Sequence, residues 1–171
     1  FTNYPDLYPE TFDTIMTNPP FGVDLQPEAL VQLGPFEIGG TRRSAVSLEI
    51  IALERCLQLL RPGGRLAIVL PDGILGNRGT GYVREWISGR ARIKGIFSLP
   101  VEAFTPFGAN IKTSIIVIRK SESGESIPKD YPIFMGDIHA IGYDSTGRPT
   151  DTSELADVAR DFQKFIEAEG W

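Results

Sequence analysis

Hydrophobic residues return along this chain at two spacings, one typical of helices and one typical of buried strands. Between residues 44 and 60 they recur at every third or fourth position, which predicts an amphipathic helix. Residues 66–70 then form an unbroken apolar run, and a strand that is apolar on both faces belongs in the middle of a parallel sheet covered by helices. The Arg-Pro-Gly-Gly sequence at 61–64 lies between them and predicts the end of the helix.

The segments on either side continue this alternation of strands and helices. A short apolar strand precedes the helix, and a second helix and further strands follow the apolar run. Two of these strands are joined without a helix, so they should pair antiparallel. The order predicts an α/β fold: the second half of a doubly wound, Rossmann-like sheet that is partly parallel, with an antiparallel hairpin on one edge. The segments are strands at 12–17, 93–99, 113–118 and 133–135, and a helix at 82–88.

The end of the chain carries a third helical pattern. Its apolar stripe predicts an amphipathic helix with Thr152 or Ser153 as the N-cap residue. Residues 22–43 are instead rich in Gly and Pro and predict a long loop, which is often functional at this length. We expect one unit at 1–136 that contains the sheet and an extension at 137–171 that contains the helix. The stripe consists of Leu155, Val158, Ala159, Phe162, Phe165 and Ile166.

Charge is distributed unevenly along the chain. The net charge is −5, but residues 42–120 contain 13 Lys or Arg against five Asp or Glu. This basic middle permits a local patch that faces phosphate, although a solvated mixed surface would give the same counts. The basic residues closest together in sequence are Arg78, Arg84, Arg90, Arg92 and Lys94.

The rarest residue types exclude several kinds of site. Cys56 is the only cysteine and His139 the only histidine, so the chain forms no internal disulfide. For the same reason we expect neither a Cys/His zinc site, nor a Ser-His-Asp triad, nor any other metal centre. We expect Cys56 in the core and a structural role for His139. No apolar run approaches the roughly 20 residues that span a bilayer, so we expect a cytoplasmic protein without a membrane partner.

The most informative motif is Asn18-Pro19-Pro20-Phe21. It follows a predicted strand directly, which is where an open α/β sheet binds its ligands. An aromatic amine is a poor nucleophile because its lone pair is delocalised; the Asn18 side-chain oxygen and the Pro19 carbonyl could oppose this by accepting both amino hydrogens. Phe21 could stack on an extruded base. The alternative is a tight turn without chemistry.

Several stretches of the sequence resemble one family in the expected order. The chain resembles the C-terminal half of the N6-adenine methylase domain in modification subunits of type I restriction-modification systems. The resemblance implies that Asn18, Pro19, Pro20 and Phe21 bind the target adenine. It also implies a second aromatic residue near the base, for which Phe104 is the candidate and Phe107 the reserve; Phe104 could equally belong to the hairpin core. The matching stretches are 12–22, 60–73, 98–104, 110–120 and 137–144.

The same resemblance implies a cofactor and partners. A DNA adenine-N6 methyltransferase uses S-adenosyl-L-methionine, acts on DNA and assembles with specificity and restriction subunits. The Gly-rich loop and the acidic residue that bind the cofactor in this family would lie upstream of residue 1. We therefore expect the cofactor-binding residues to lie outside this sequence, and we expect this chain alone to bind the cofactor weakly and to be inactive.

Two other interpretations stay open at the level of sequence. The chain could be a non-catalytic, methylase-like module that assembles with specificity or restriction subunits, or its amine chemistry could serve methylation of RNA or of a protein glutamine. Two further segments also have alternatives. The Gly-rich segment 72–81 could be a phosphate cradle but is better explained as a strand-to-helix connection. The Phe162 and Phe165 stripe predicts packing, with docking on another subunit as the alternative.

Overall fold

A five-stranded sheet forms the centre of the protein. The computed structural model describes residues 7–26, 28–29, 36–40 and 45–170. The strands are β1 (Phe12–Thr17), β2 (Asp24–Leu25), β3 (Val46–Ser47), β4 (Leu60–Pro71), β5 (Ala91–Leu99), β6 (Thr113–Lys120), β7 (Phe134–Asp137), β8 (Ile141–Tyr143) and β9 (Pro149–Ser153). The helices are α1 (Glu37–Gly40), α2 (Leu48–Leu59), α3 (Asp72–Gly76), α4 (Gly81–Ser88) and α5 (Leu155–Glu169).

The topology of this sheet confirms the predicted α/β class. The strand order is β1-β4-β6-β5-β7, and β6 alone runs antiparallel to its neighbours. The predicted antiparallel pairing of β5 with β6 is confirmed, but this hairpin does not form the edge of the sheet. The strand β6 is inserted between β4 and β5, and the short strand β7 pairs outside β5. Separate two-stranded ribbons are formed by β2 with β3 and by β8 with β9.

One face of the sheet carries the larger core. Leu66, Ile68 and Leu70 of β4 are fully buried on this face, under α2 and α4. Val83 and Ile87 of α4 are buried in the same cluster. Each such side chain contributes about 1.5–3 kcal/mol to folding, so the predicted helix-covered strand is a main source of stability.

The opposite face carries a smaller, aromatic core. The Phe97 ring of β5 lies edge-to-face with Phe162 of α5, with ring centroids 5.0 Å apart. Phe134 of β7 contacts both Phe97 and Phe162, at 5.6 Å and 5.4 Å. Phe165 contacts Phe134 at 5.7 Å. The aromatic part of the last helix's apolar stripe is therefore packed against this chain's own sheet, whereas Leu155 and Ala159 of the stripe are exposed.

The Gly-rich segment after α2 does not cap the helix as predicted. The helix ends at Leu59, and residues 61–64 already belong to β4. They form an irregularity in the pairing with β1, where Phe12 faces Leu60 but Thr14 faces Arg65. Gly64 fits here because a Cβ atom would lie 2.8 Å from the Arg61 carbonyl oxygen. The glycines therefore belong to a β-bulge. The prediction was wrong because glycine is common both in bulges and at helix ends.

Other predicted boundaries also differ. The helix that was predicted from residue 44, α2, begins at Leu48, because Val46–Ser47 pairs with β2. The N-cap of α5 is Glu154, not Thr152 or Ser153, because those residues lie in β9. The predicted long loop at 22–43 contains β2 and α1, while its residues 27, 30–35 and 41–44 lie outside the described residues. Within the described part of the chain, no helix is long and apolar enough to cross a membrane.

Candidate functional site

The Asn18-Pro19-Pro20-Phe21 segment begins directly after the last residue of β1. Thr17 still pairs with Ile68 of β4, and the two prolines that follow Asn18 lack the N–H needed to continue the ladder. Pro19 is buried and Phe21 is half-buried, whereas the Asn18 and Pro20 side chains are exposed. The Asn18 amide is thus presented at the carboxyl end of an outer strand, and it forms no hydrogen bond with any described residue.

The structure brings Phe104 to this segment. The rings of Phe21 and Phe104 meet edge-to-face, with centroids 5.6 Å apart and planes at 82°. Phe104 is half-buried and also packs against the smaller core. It therefore lies both next to the motif and in the hairpin core, the two positions that the sequence left open. Phe107 is 77% exposed and has no ring contact among the described residues. The two aromatic candidates therefore differ, and the contact with Phe21 singles out Phe104.

The connection after β4 lies at the same end of the sheet and is closed by internal hydrogen bonds. The Asp72 carboxylate accepts the Ser114 hydroxyl at 2.7 Å. The Arg84 guanidinium donates to two carbonyls of the connection, at 3.0 Å and 3.1 Å, and the Thr80 hydroxyl donates to a third at 2.8 Å. These contacts support the strand-to-helix explanation over the phosphate cradle. Arg78 is exposed and forms no salt bridge with the described residues.

The other basic residues are not gathered into one open patch. Arg90 forms an ion pair with Glu37, and Arg92 forms one with Glu125 at 2.7 Å. Burial, together with the neighbouring positive charge of Arg92, lowers the pKa of Lys94. Most of the predicted basic cluster is therefore engaged in contacts within the chain.

Sequence analysis missed a buried carboxylate that holds the segment after the motif. Glu54 of α2 is fully buried and accepts the backbone N–H groups of Glu37 and Ile38, at 2.5 Å and 2.9 Å. The Gln58 side chain donates to the same carboxylate at 3.2 Å. The Glu37 carboxylate in turn accepts the indole N–H of Trp86 at 2.8 Å. The signal was present: an acidic residue among the buried positions of an amphipathic helix requires buried donors.

The two rarest residues lie apart from the motif. Cys56 is buried in the larger core, as predicted, and burial raises the pKa of its thiol to about 11. His139 is exposed, and its ring lies 3.4 Å from the Asp137 carboxylate. Among the described residues, no group of His, Cys, Asp and Glu is arranged to hold a metal ion.

Comparison with known proteins gives a consistent set of relatives. The family model described as N-6 DNA Methylase matches residues 2–170. The methylase subunit of the type I restriction enzyme EcoEI from Escherichia coli is 29% identical over 119 residues, which are 69% of this chain and 23% of that protein.

Solved structures show the same fold at lower identity. A Listeria monocytogenes protein assigned to the class I S-adenosylmethionine-dependent methyltransferases matches with a TM-score of 0.67 and 19% identity, over 94% of this chain and 44% of that chain. The methyltransferase subunit of a type I restriction-modification system from Streptococcus thermophilus matches with a TM-score of 0.65 and 21% identity, over 95% of this chain and 33% of that chain. The chain thus spans less than half the length of each of these relatives.

Proposed function

Because the chain belongs to the N-6 DNA methylase family, we propose that it forms the base-binding part of an S-adenosylmethionine-dependent DNA adenine-N6 methyltransferase. The observation that carries this proposal is the exposed Asn18 amide, which forms no hydrogen bond with a described residue, at the carboxyl end of β1 and next to the Phe21–Phe104 pair. This position is where an open α/β sheet binds its ligand.

The proposed role of Asn18 is to activate the adenine amine. The N6 lone pair is delocalised into the purine ring, so the free base is a weak nucleophile. The Asn18 side-chain oxygen and the Pro19 carbonyl accept the two amino hydrogens and draw the nitrogen towards tetrahedral geometry. Pro19 is suited to this because it is buried and because Pro20 restricts the ψ angle that orients the Pro19 carbonyl. No general base is required, because the amine proton can leave after the methyl group is transferred.

The proposed role of the two phenylalanines is to hold the base outside the duplex. An adenine that is extruded from DNA loses its stacking partners and needs an aromatic surface in the protein. Stacking on Phe21 would contribute about 1–3 kcal/mol. The edge-to-face contact with Phe104 fixes the plane of the Phe21 ring, so the base would meet a surface of defined orientation.

The described residues fit the base better than the cofactor. S-adenosyl-L-methionine would supply the methyl group. The carboxylate at the end of the neighbouring strand, Asp72, already accepts the Ser114 hydroxyl, and we assign no described residue to the ribose or to the methionine part. We expect this chain alone to bind the cofactor weakly.

The partners and the compartment follow from the same proposal. The relatives include subunits of type I restriction-modification systems, and such a modification subunit would act on DNA together with specificity and restriction subunits. We place the protein in the cytoplasm because its proposed substrate is cellular DNA.

The experiment is substitution of Asn18 by Ala in the full-length methyltransferase. Removing an acceptor aimed at a developing charge lowers a rate by about 100- to 1,000-fold, and we expect a loss of this size in adenine methylation. The matched control is Asn77→Ala, which removes an exposed amide from the connection after α3. Normal methylation by Asn18→Ala would refute the proposed role of Asn18.

A further inference from the structure

The β8–β9 hairpin has a turn that is held by one carboxylate. The Asp144 carboxylate accepts the Thr146 N–H at 2.8 Å, the Thr146 hydroxyl at 2.6 Å and the Arg148 N–H at 3.0 Å. The hydrogen bond from the Thr146 hydroxyl, supported by the two N–H groups, lowers the pKa of Asp144. Gly147 has φ +80°, a conformation that favours glycine, and its N–H donates to the Asp144 carbonyl at 2.9 Å. The turn therefore has a defined shape.

This hairpin contacts the Phe104 segment at residues that come before and after Phe104 in the sequence. The Tyr143 hydroxyl donates to the carbonyl oxygen of Ala103 at 3.0 Å, immediately before Phe104. Gly147 approaches Pro106 closely enough that a Cβ atom would lie 3.3 Å from the Pro106 side chain. Both contacts join residues that are about 40 positions apart in the sequence.

The Phe104 segment has little regular structure of its own. It consists of two 3₁₀ turns, Val101–Ala103 and Thr105–Phe107, whose hydrogen-bond geometry is weaker than that of an α-helix. The N–H of Phe104 donates within its turn at 3.2 Å. A segment of this kind takes its position from the surfaces that it contacts, and the hairpin supplies one of them.

We propose that the β8–β9 hairpin holds Phe104 against Phe21, and that Tyr143 is a positioning residue for the extruded base. This inference rests on the proposed function, because Phe104 matters only if the pair receives a base. Among the described residues, Tyr143 forms no ring contact with Phe21. It acts through the Ala103 carbonyl, which fixes where the chain enters Phe104.

Substitution of Tyr143 by Phe tests this role with a small change. The ring remains in the smaller core, where Tyr143 is half-buried, and only the hydroxyl is lost. The matched control is Tyr131→Phe. The Tyr131 hydroxyl accepts the N–H of Ile93 at 3.1 Å, so the control also loses one hydrogen bond between a tyrosine hydroxyl and the backbone, near the other end of β5 and with the hydroxyl as acceptor.

Two measurements on the full-length methyltransferase separate positioning from general stability. Amide hydrogen exchange in residues 101–109 should accelerate in Tyr143→Phe but not in Tyr131→Phe. The single-turnover rate of adenine methylation should fall about two- to tenfold in Tyr143→Phe, as expected for one neutral hydrogen bond, and should stay near the wild-type rate in the control. In a Phe104→Ala background, Tyr143→Phe should have no further effect on the rate, because the residue through which it acts is gone.

Unchanged exchange in residues 101–109 would overturn the inference, and so would a rate loss that persists in full in the Phe104→Ala background. An equal rate loss in both tyrosine variants would also overturn it, since that result indicates a stability effect. A wild-type enzyme that does not methylate adenine would instead refute the proposed function, while the exchange result would still report on the hairpin contact.

Discussion

Replacing Glu54 by Gln should destabilise the fold through a small set of buried hydrogen bonds. Glu54 is fully buried, and its two oxygens accept the N–H groups of Glu37 and Ile38. Glutamine has nearly the same shape but only one acceptor oxygen. Its oxygen would occupy the position to which both the Glu37 N–H and the Gln58 amide donate, so its NH₂ group would face the Ile38 N–H, and that donor would lose its acceptor.

The size of the effect follows from these contacts. An unsatisfied buried donor costs about 1–3 kcal/mol, and removal of a buried charge offsets part of that loss. We expect the free energy of unfolding to fall by about 1–3 kcal/mol in Glu54→Gln. We also expect the amide of Ile38 to exchange faster, because its acceptor is weakened.

The assay is urea unfolding combined with residue-resolved hydrogen exchange. The matched control is Glu85→Gln, which neutralises an exposed carboxylate on α4 and should change stability by less than about 0.5 kcal/mol. The reasoning would be refuted if Glu54→Gln were as stable as the control variant, or if the Ile38 amide kept its protection.

Two further predictions concern single side chains. Phe104→Ala in the full-length enzyme should lower adenine methylation by about five- to 100-fold, because the Phe21 ring that stacks on the base loses the contact that orients it. Phe107→Ala should lower it less, because Phe107 is exposed and has no ring contact with Phe21 among the described residues. Steady-state rates with unmodified DNA would check both, and equal losses would contradict the assignment. Cys56, whose thiol has a pKa raised to about 11 by burial, should react slowly with iodoacetamide at pH 8 and rapidly in urea; rapid alkylation of the folded protein would contradict its placement in the core.

Local periodicity was sufficient to predict the sheet and its main helices. The apolar run at 66–70 lies within β4, as predicted, and the helical spacing before it lies within α2, which begins at Leu48 and not at residue 44. The Gly63-Gly64 pair was predicted to end the helix but lies in β4. Glycines occur both at helix ends and in bulges, and only the pairing with β1 decides between them. The strand β9 was missed because residues 149–153 are polar and exposed and carry no alternating pattern.

The site was predictable only where its residues are adjacent in the sequence. The Asn18-Pro19-Pro20-Phe21 segment is a contiguous motif, so its chemistry could be derived before its geometry was known. The choice between Phe104 and Phe107 depends on the tertiary contact with Phe21, which spacing alone does not show. Tyr143 lies in the matching stretch 137–144, but the sequence does not indicate its contact with Ala103, because that contact joins two segments that are distant in sequence. The division of the chain at residue 136 stays a prediction.

The most direct test of the central claim is the chemical identity of the product. The full-length enzyme would be incubated with S-adenosyl-L-methionine and unmodified DNA, and the DNA would be digested to nucleosides for mass spectrometry. We predict N6-methyladenine as the methylated nucleoside from the wild type, and its loss from Asn18→Ala. Methylation of cytosine, or of no base while RNA or protein becomes methylated, would contradict the account.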